Sequence, residues 1–303
     1  MTRSLQQILL ASSLAIILVV AIVLASTRLV RGDSSLLRNV SLSETTLSPN
    51  ADGENDVLSI AYEISRVAQV SIYFENASGN RFYFRDSKTR GTGKYKVLFS
   101  GIVDGYTLPD EQLDNEVEAR LLQNGDYTWI IEAVDKDGVT EQQTGNLQIS
   151  EADADLPLII GFEQDRDIFT PNRDGIDDRV KIQFDLKKDA EKLRVFLVDA
   201  EGVEREIQAL PGARPPRTAD DPADEPNFVA GRHVYDYEGG VDLNATPPDD
   251  GTYEIVAVAE DAEGQRVRTG SSLTIELGGV PRAEIPAPVS GDTIQFSLSG
   301  EDA

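Results

Sequence analysis

Pro49-Asn50-Ala51-Asp52-Gly53-Glu54-Asn55-Asp56 returns 122 positions later as Pro171-Asn172-Arg173-Asp174-Gly175-Ile176-Asp177-Asp178. Each stretch opens onto an alternating run. After the first, Leu58, Ile60, Tyr62 and Ile64 share one face; after the second, Val180, Ile182, Phe184 and Leu186 do. Apolar residues at period two indicate a half-buried strand. A repeat of this length signals two copies of one domain, and 303 residues suit two domains.

Working outward, Val70-Ser71-Ile72-Tyr73-Phe74 and Leu193-Arg194-Val195-Phe196-Leu197-Val198 read as strands entering hairpins that turn at Gly79 and Gly202. Gly125-Asp126-Tyr127-Thr128-Trp129-Ile130-Ile131 aligns with Gly251-Thr252-Tyr253-Glu254-Ile255-Val256-Ala257. Thirteen residues after each leading glycine come Gly138 and Gly264, preceded by Asp135 and Asp261, and the last strands end at Ile149 and Ile275. Residues 110–122 are expected to hold a short turn of helix. Many short strands with Gly-marked turns argue for a β-sandwich in each copy.

Lys and Arg number 28 against 53 Asp and Glu, a net charge of −25. Nucleic acid is therefore not an expected partner, because phosphate binding needs a basic face. The absence of cysteine removes disulfides, thiolate metal sites and Cys nucleophiles. No charge lies between Arg3 and Arg28, and Ile8 to Ala25 is almost wholly aliphatic. About 20 apolar residues span a bilayer, whereas a secretory signal carries roughly 7–15. Residues 1–27 are thus read as a signal-anchor, with a polar linker over 28–42. Val23-Leu24-Ala25 offers the alternative of cleavage, which would release the chain. The acidic remainder is expected outside the cytoplasm, in a periplasm or at the cell surface.

The Pro-Asn-x-Asp-Gly-x-x-Asp turn with its strand, followed by Gly-x-Tyr-x-apolar and an Asp-x-x-Gly hairpin, resembles two related bacterial modules. One is the immunoglobulin-like domain of the flagellar hook-capping protein family; the other is the gliding-motility-associated C-terminal module. The resemblance covers about 43–150 and 164–277. It departs at Phe99-Ser100-Gly101 and Tyr237-Glu238-Gly239, where an aromatic-Asp-Gly turn would stand, and no hook-capping N-terminal region is present. It implies an envelope β-sandwich used as spacer, assembly or binding module. The expected fold class is all-β: two tandem immunoglobulin-like β-sandwiches, 43–152 and 156–278, behind one N-terminal transmembrane helix. A disordered insertion is expected over 211–232. A Pro-rich extended tail is expected over 279–303, where Thr293 to Leu298 alternate like a strand.

Two readings of the Asp-Gly loops stand side by side. Asn50, Asp52, Asn55 and Asp56, with Asn172, Asp174, Asp177 and Asp178, can supply oxygens to Ca²⁺. In the other reading Pro and Asn build a turn, carboxylates accept backbone N–H groups and Gly supplies positive φ. The loop is no EF-hand, since Ser59 or Lys181 stands where a bidentate Glu would be needed. Tyr127 and Tyr253 are expected in the core with hydroxyls bonded to loop backbone, as in a tyrosine corner. Trp129 matches Ile255 and is expected to pack inward. His233 is the single histidine, and no Gly-x-Ser-x-Gly elbow exists, so a nucleophilic triad has no base. Adjacent acid pairs such as Asp249 and Asp250 cannot flank a glycosidic bond. The expectation is a non-enzymatic, membrane-anchored protein whose sandwiches act as spacer and protein-interaction module. The alternative is a Ca²⁺-dependent adhesion module or one that binds cell-wall polysaccharide.

Overall fold

The computed structural model describes residues 35–172, 175–207, 228–240 and 247–276. The expected anchor (1–27), Asp174, most of the insertion and the tail (279–303) lie outside the described residues. Among those described, no helix is long and apolar enough to cross a membrane.

The first copy contains β1 (Leu37–Leu42), β2 (Thr46–Leu47), β3 (Leu58–Ile64), β4 (Ala68–Asn76), β5 (Arg81–Arg90), β6 (Gly93–Phe99), β7 (Ile102–Asp104), β8 (Glu116–Leu121), β9 (Gly125–Asp135) and β10 (Thr140–Ile149). One sheet runs β1-β3-β6 and the facing sheet β2-β10-β9-β4-β5, with β2 parallel to β10. This is the immunoglobulin-like arrangement, in which the first, second and fifth strands oppose a sheet built on the third, sixth and seventh. Leu58, Ile60, Tyr62 and Ile64 are all buried, so β3 presents the alternating face its sequence carries. They meet Val70, Ile72, Phe74, Ile131 and Leu147 of the other sheet in one core.

The second copy repeats the plan with β11 (Ile159–Gln164), β12 (Ile168–Phe169), β13 (Val180–Leu186), β14 (Lys192–Val198), β15 (Glu204–Glu206), β16 (Gly231–Tyr237), β17 (Gly251–Glu260) and β18 (Arg266–Ile275). Its sheets are β11-β13-β16 and β15-β14-β17-β18, with β12 parallel to β18. Val180, Ile182, Phe184 and Leu186 face Val195, Leu197, Ile255 and Leu273 in a second core.

Three expectations are corrected. Residues 37–42 are not linker but strand β1, antiparallel to β3. A bulge between Arg38 and Ser41, with Asn39 at φ 50°, breaks the alternation that would have revealed it. Residues 116–121 form a strand rather than a helical turn. Its hydrogen-bonded partners are β7 and, in the other copy, β18, so nothing local announces it. The C-terminal end of the expected insertion is also ordered: Phe228 bridges Ala190, and Gly231 and Arg232 belong to β16.

Candidate functional site

The Asp-Gly turn connects β2 to β3. Asp56 accepts backbone N–H bonds from Asn50 (3.0 Å), Ala51 (2.9 Å) and Gly53 (2.7 Å). Asp52 accepts from the Glu54 amide at 2.8 Å and the Asn50 side chain at 3.2 Å. Gly53, Ala51 and Asn55 take positive φ, and the Asn55 carbonyl accepts the Ser48 N–H at 3.0 Å. The described residues of the second turn follow the same scheme. Asp178 accepts from Gly175 (2.6 Å), the Asp177 carbonyl accepts from Thr170 (2.9 Å), and Gly175 and Asp177 have positive φ. The Asp177 carboxylate pairs with Arg166.

The structure therefore gathers Asn50, Asp52 and Asp56 in one turn, and Asp177 and Asp178 in the other. In both, the carboxylate that closes the loop is turned onto backbone donors, so a cation at Asp56 would have to displace them. Among the described residues no three Asp, Glu, His or Cys side chains group as a metal cluster would. The prolines have a separate task. A Cβ on Gly101 would lie 3.0 Å from Pro49, and one on Gly239 would lie 2.9 Å from Pro171. In each copy the turn is thus wedged onto the chain leaving β6 or β16.

The aromatic expectations correspond to real contacts. The Tyr127 hydroxyl donates to the Gln123 carbonyl at 2.9 Å, and that of Tyr253 to the Asp249 carbonyl at 2.8 Å. Each bond reaches four residues back and pins the loop entering β9 or β17. Burial pushes the Tyr127 hydroxyl up to about 12. Trp129 packs against the first core but is only half-buried, unlike its match Ile255 at 0% exposure. It lies across Gly145, whose missing Cβ leaves space for the indole ring. His233 stacks on Phe184 with 5.7 Å between ring centroids, and its Nε2 meets the Val229 carbonyl at 2.9 Å.

The arrangement unforeseen in the sequence is the junction between the copies. From Gly101 to Gly125 is 24 residues; from Gly239 to the matching Gly251 is 12. The extra chain in the first copy is an arm, β7 and β8, that leaves its own sandwich. β8 pairs antiparallel with β18, so β15-β14-β17-β18-β8-β7 is one continuous sheet carrying strands of both copies. Val103 and Leu122 sit in the first core while Leu113 and Val117 pack on the second. Gly105 allows the two arm strands to touch, since a Cβ there would fall 1.6 Å from the Val117 carbonyl oxygen.

Polar side chains complete the joint. The Asn115 amide accepts from Ile159 N–H (2.8 Å) and donates to Ile159 C=O (2.7 Å), imitating a strand residue. Gln265, 0% exposed, accepts from the Leu121 N–H and donates to the carbonyls of Asp153 (3.0 Å) and Asp155 (2.8 Å). Lys188 contacts Asp153, Asp261 and Glu263 at 2.9–3.0 Å. Burial alone would lower its pKa, but the hydrogen bonds and charge of Asp261, with Asp153 and Glu263, raise it. Burial raises the Glu263 carboxyl. Arg120, almost wholly buried, holds Glu111 in a bidentate pair and lies over the Tyr106 ring. That hydrogen bond lowers the Glu111 carboxyl. Arg66 and Asp135, the counterparts of Lys188 and Asp261, form the same kind of pair at 2.7 Å at the corresponding end of the first copy. The unequal distance from Gly101 to Gly125 was the one signal in the sequence.

No protein-family model matches the chain, and no curated protein does. Among solved structures it is similar to a tetra-tandem repeat from the extending region of a large adhesion protein, at 14% identity over 78% of this chain and 48% of that one (TM-score 0.22). A two-domain fibronectin type-III segment of chicken tenascin matches at 10% identity over 78% and 98% (TM-score 0.22). A Ca²⁺-stabilized adhesin of an Antarctic ice-binding bacterium matches at 14% over 80% and 48% (TM-score 0.22). The chain spans about half the length of both adhesin structures. The immunoglobulin-like reading rests on the strand order of each copy.

Proposed function

We propose that the chain is a non-enzymatic, membrane-anchored envelope protein in which two sandwiches, joined as one stiff body, act as a spacer and a protein-interaction module. The observation that carries this reading is the sheet that continues from β18 into β8 and β7. Domains in one chain ordinarily move against each other unless the interface is extensive. Here backbone pairing and the buried Gln265 cross the boundary, and the half-buried Lys188 ties down the linker at Asp153, which favours transmission of position over hinging. The likeness of the two motif pairs to hook-capping and gliding-motility modules supports assembly rather than chemistry. The uncharged run before Arg28 supports retention at a membrane, with the acidic remainder outside.

The test is protease access to the full chain in cells. Externally added protease is expected to remove both sandwiches from spheroplasts and leave a membrane-bound stub of the anchor. Digestion that begins only once the cytoplasmic membrane is permeabilised would overturn the placement.

A further inference from the structure

The two ends of the repeated sandwich are used differently. At the entry end of the second copy, Lys188 is taken up by Asp153, Asp261 and Glu263. At the same end of the first copy there is no preceding domain among the described residues, and Arg66 pairs with Asp135 while other cations gather beside it.

Residues 81–96 carry Arg81, Arg85, Lys88, Arg90, Lys94 and Lys96 against one acid, Asp86, in a chain of net charge −25. This segment is β5, a short turn and β6, and each strand closes the edge of its sheet. Register places its turn at the chain entry: Gly93 pairs with Ile64, which pairs with Leu37, and Arg90 pairs with Ala68. Thr92 Oγ1 donates to the Ser65 carbonyl, and Ser65 N–H to that of Leu36. Lys88, Arg90 and Lys94 thus surround the point where the chain enters the sandwich. None of the three has a carboxylate partner among the described residues; Arg90 rests on Tyr62 Oη and the Tyr95 ring. Glu63 stands opposite Lys94 across β3 and β6 without an ion pair between them, and the acids nearby are bonded to other groups. Asp135 is held by Arg66, Glu63 by Asn39, Asp137 by Lys136, and Glu141 by Ser35 and the Leu37 amide. Two loops at this end also carry bare aliphatic side chains, Val67 at 59% and Val139 at 46% exposure.

We propose that this end of the first sandwich docks on anionic lipid headgroups, with Lys88, Arg90 and Lys94 meeting phosphates and Val67 and Val139 entering the headgroup layer. Seven residues lie between Thr27 and Ser35, eight Cα steps that reach at most about 28 Å fully extended. A surface so tethered stays within reach of the leaflet, where each cation strengthens contact by about fivefold. The docking rests on the anchored reading for its orientation, and it would fix the stiff body upright rather than leave it to swing on the linker.

The test reconstitutes the full chain into vesicles of phosphatidylcholine alone or with phosphatidylglycerol, followed by amide hydrogen exchange and flotation after a carbonate wash. The expected result is flotation from both, with slowed exchange over 65–67, 88–94 and 136–139 only in the anionic vesicles. Half-molar salt or Lys88→Glu with Lys94→Glu should abolish the slowing, and Lys88→Gln with Lys94→Gln should weaken it severalfold. Flotation without slowed exchange would overturn the docking and leave the anchor standing. Slowed exchange on anionic vesicles without carbonate-resistant flotation would overturn the anchor and keep the surface. Slowing reproduced by inorganic phosphate on neutral vesicles would overturn a membrane surface in favour of a phosphate site.

Discussion

Asp56 shows how one side chain specifies a turn. Its carboxylate gathers three backbone N–H groups that no strand pairs, which leaves the chain free to enter β3 in register. Replacing it with Ala is expected to cost the first sandwich about 1–2 kcal/mol, the usual worth of such a cap. The loss should be the same with and without millimolar Ca²⁺; a calcium-dependent stabilisation that Asp56→Ala removes would restore the metal reading. Buried tyrosines set a pH limit. Burial raises Tyr127, Tyr235 and Tyr237 from 10.0 to about 12. Between those values the unfolded chain gives up phenolic protons that the fold retains, so stability falls as pH rises from 10 to 12. Lys188 adds to this: raised above 10.5, it stabilises fully below that value and progressively less above it. Tyrosinate absorbance should therefore appear together with loss of circular dichroism. Ionisation of these tyrosines near pH 10 in an intact fold would contradict the account. At the acid side Asp135, lowered by its hydrogen bond to Arg66, stabilises above 3.8 and loses that contribution as pH falls below it.

Among the elements, the arm of β7 and β8 is the one whose structure depends on its neighbour. Gln265→Ala would strip partners from the Leu121 amide and two linker carbonyls. Each such buried group costs about 1–3 kcal/mol unless water reaches it. The expected result is a loss of about 2–3 kcal/mol with faster exchange across both β8 and the N-terminal half of β18. A variant that loosens β18 alone would show that the strands are not coupled. Legibility follows the same division. β3 and β13 were plain from four alternating apolar residues each, because each buries one face in its own sandwich. The tyrosine corners were legible because the same Tyr stands two residues after Gly125 and Gly251. β1 was hidden by its bulge at Asn39, and β8 by a pairing partner some 150 residues away. The cations of β5 and β6 were hidden inside a net charge summed over the whole chain, although six in sixteen residues is visible once charge is read locally.

At the scale of the molecule, the second sandwich receives two strands of the first on the edge of β18, beside the place where β12 pairs. An edge that would otherwise be open to foreign strands is covered, and the same contact removes the hinge. The junction is thus both protection and stiffener, which is what the proposed spacer role calls for. Because the chain has no cysteine, two spin labels can be placed without background at Ser78→Cys and Glu201→Cys, exposed tips of the equivalent β4–β5 and β14–β15 hairpins. The distance distribution between them, measured by double electron–electron resonance, tests the central claim most directly. A single narrow distance that broadens on Gly105→Val, which forces β7 off β8, is the predicted result; a broad distribution in the unaltered junction would contradict it.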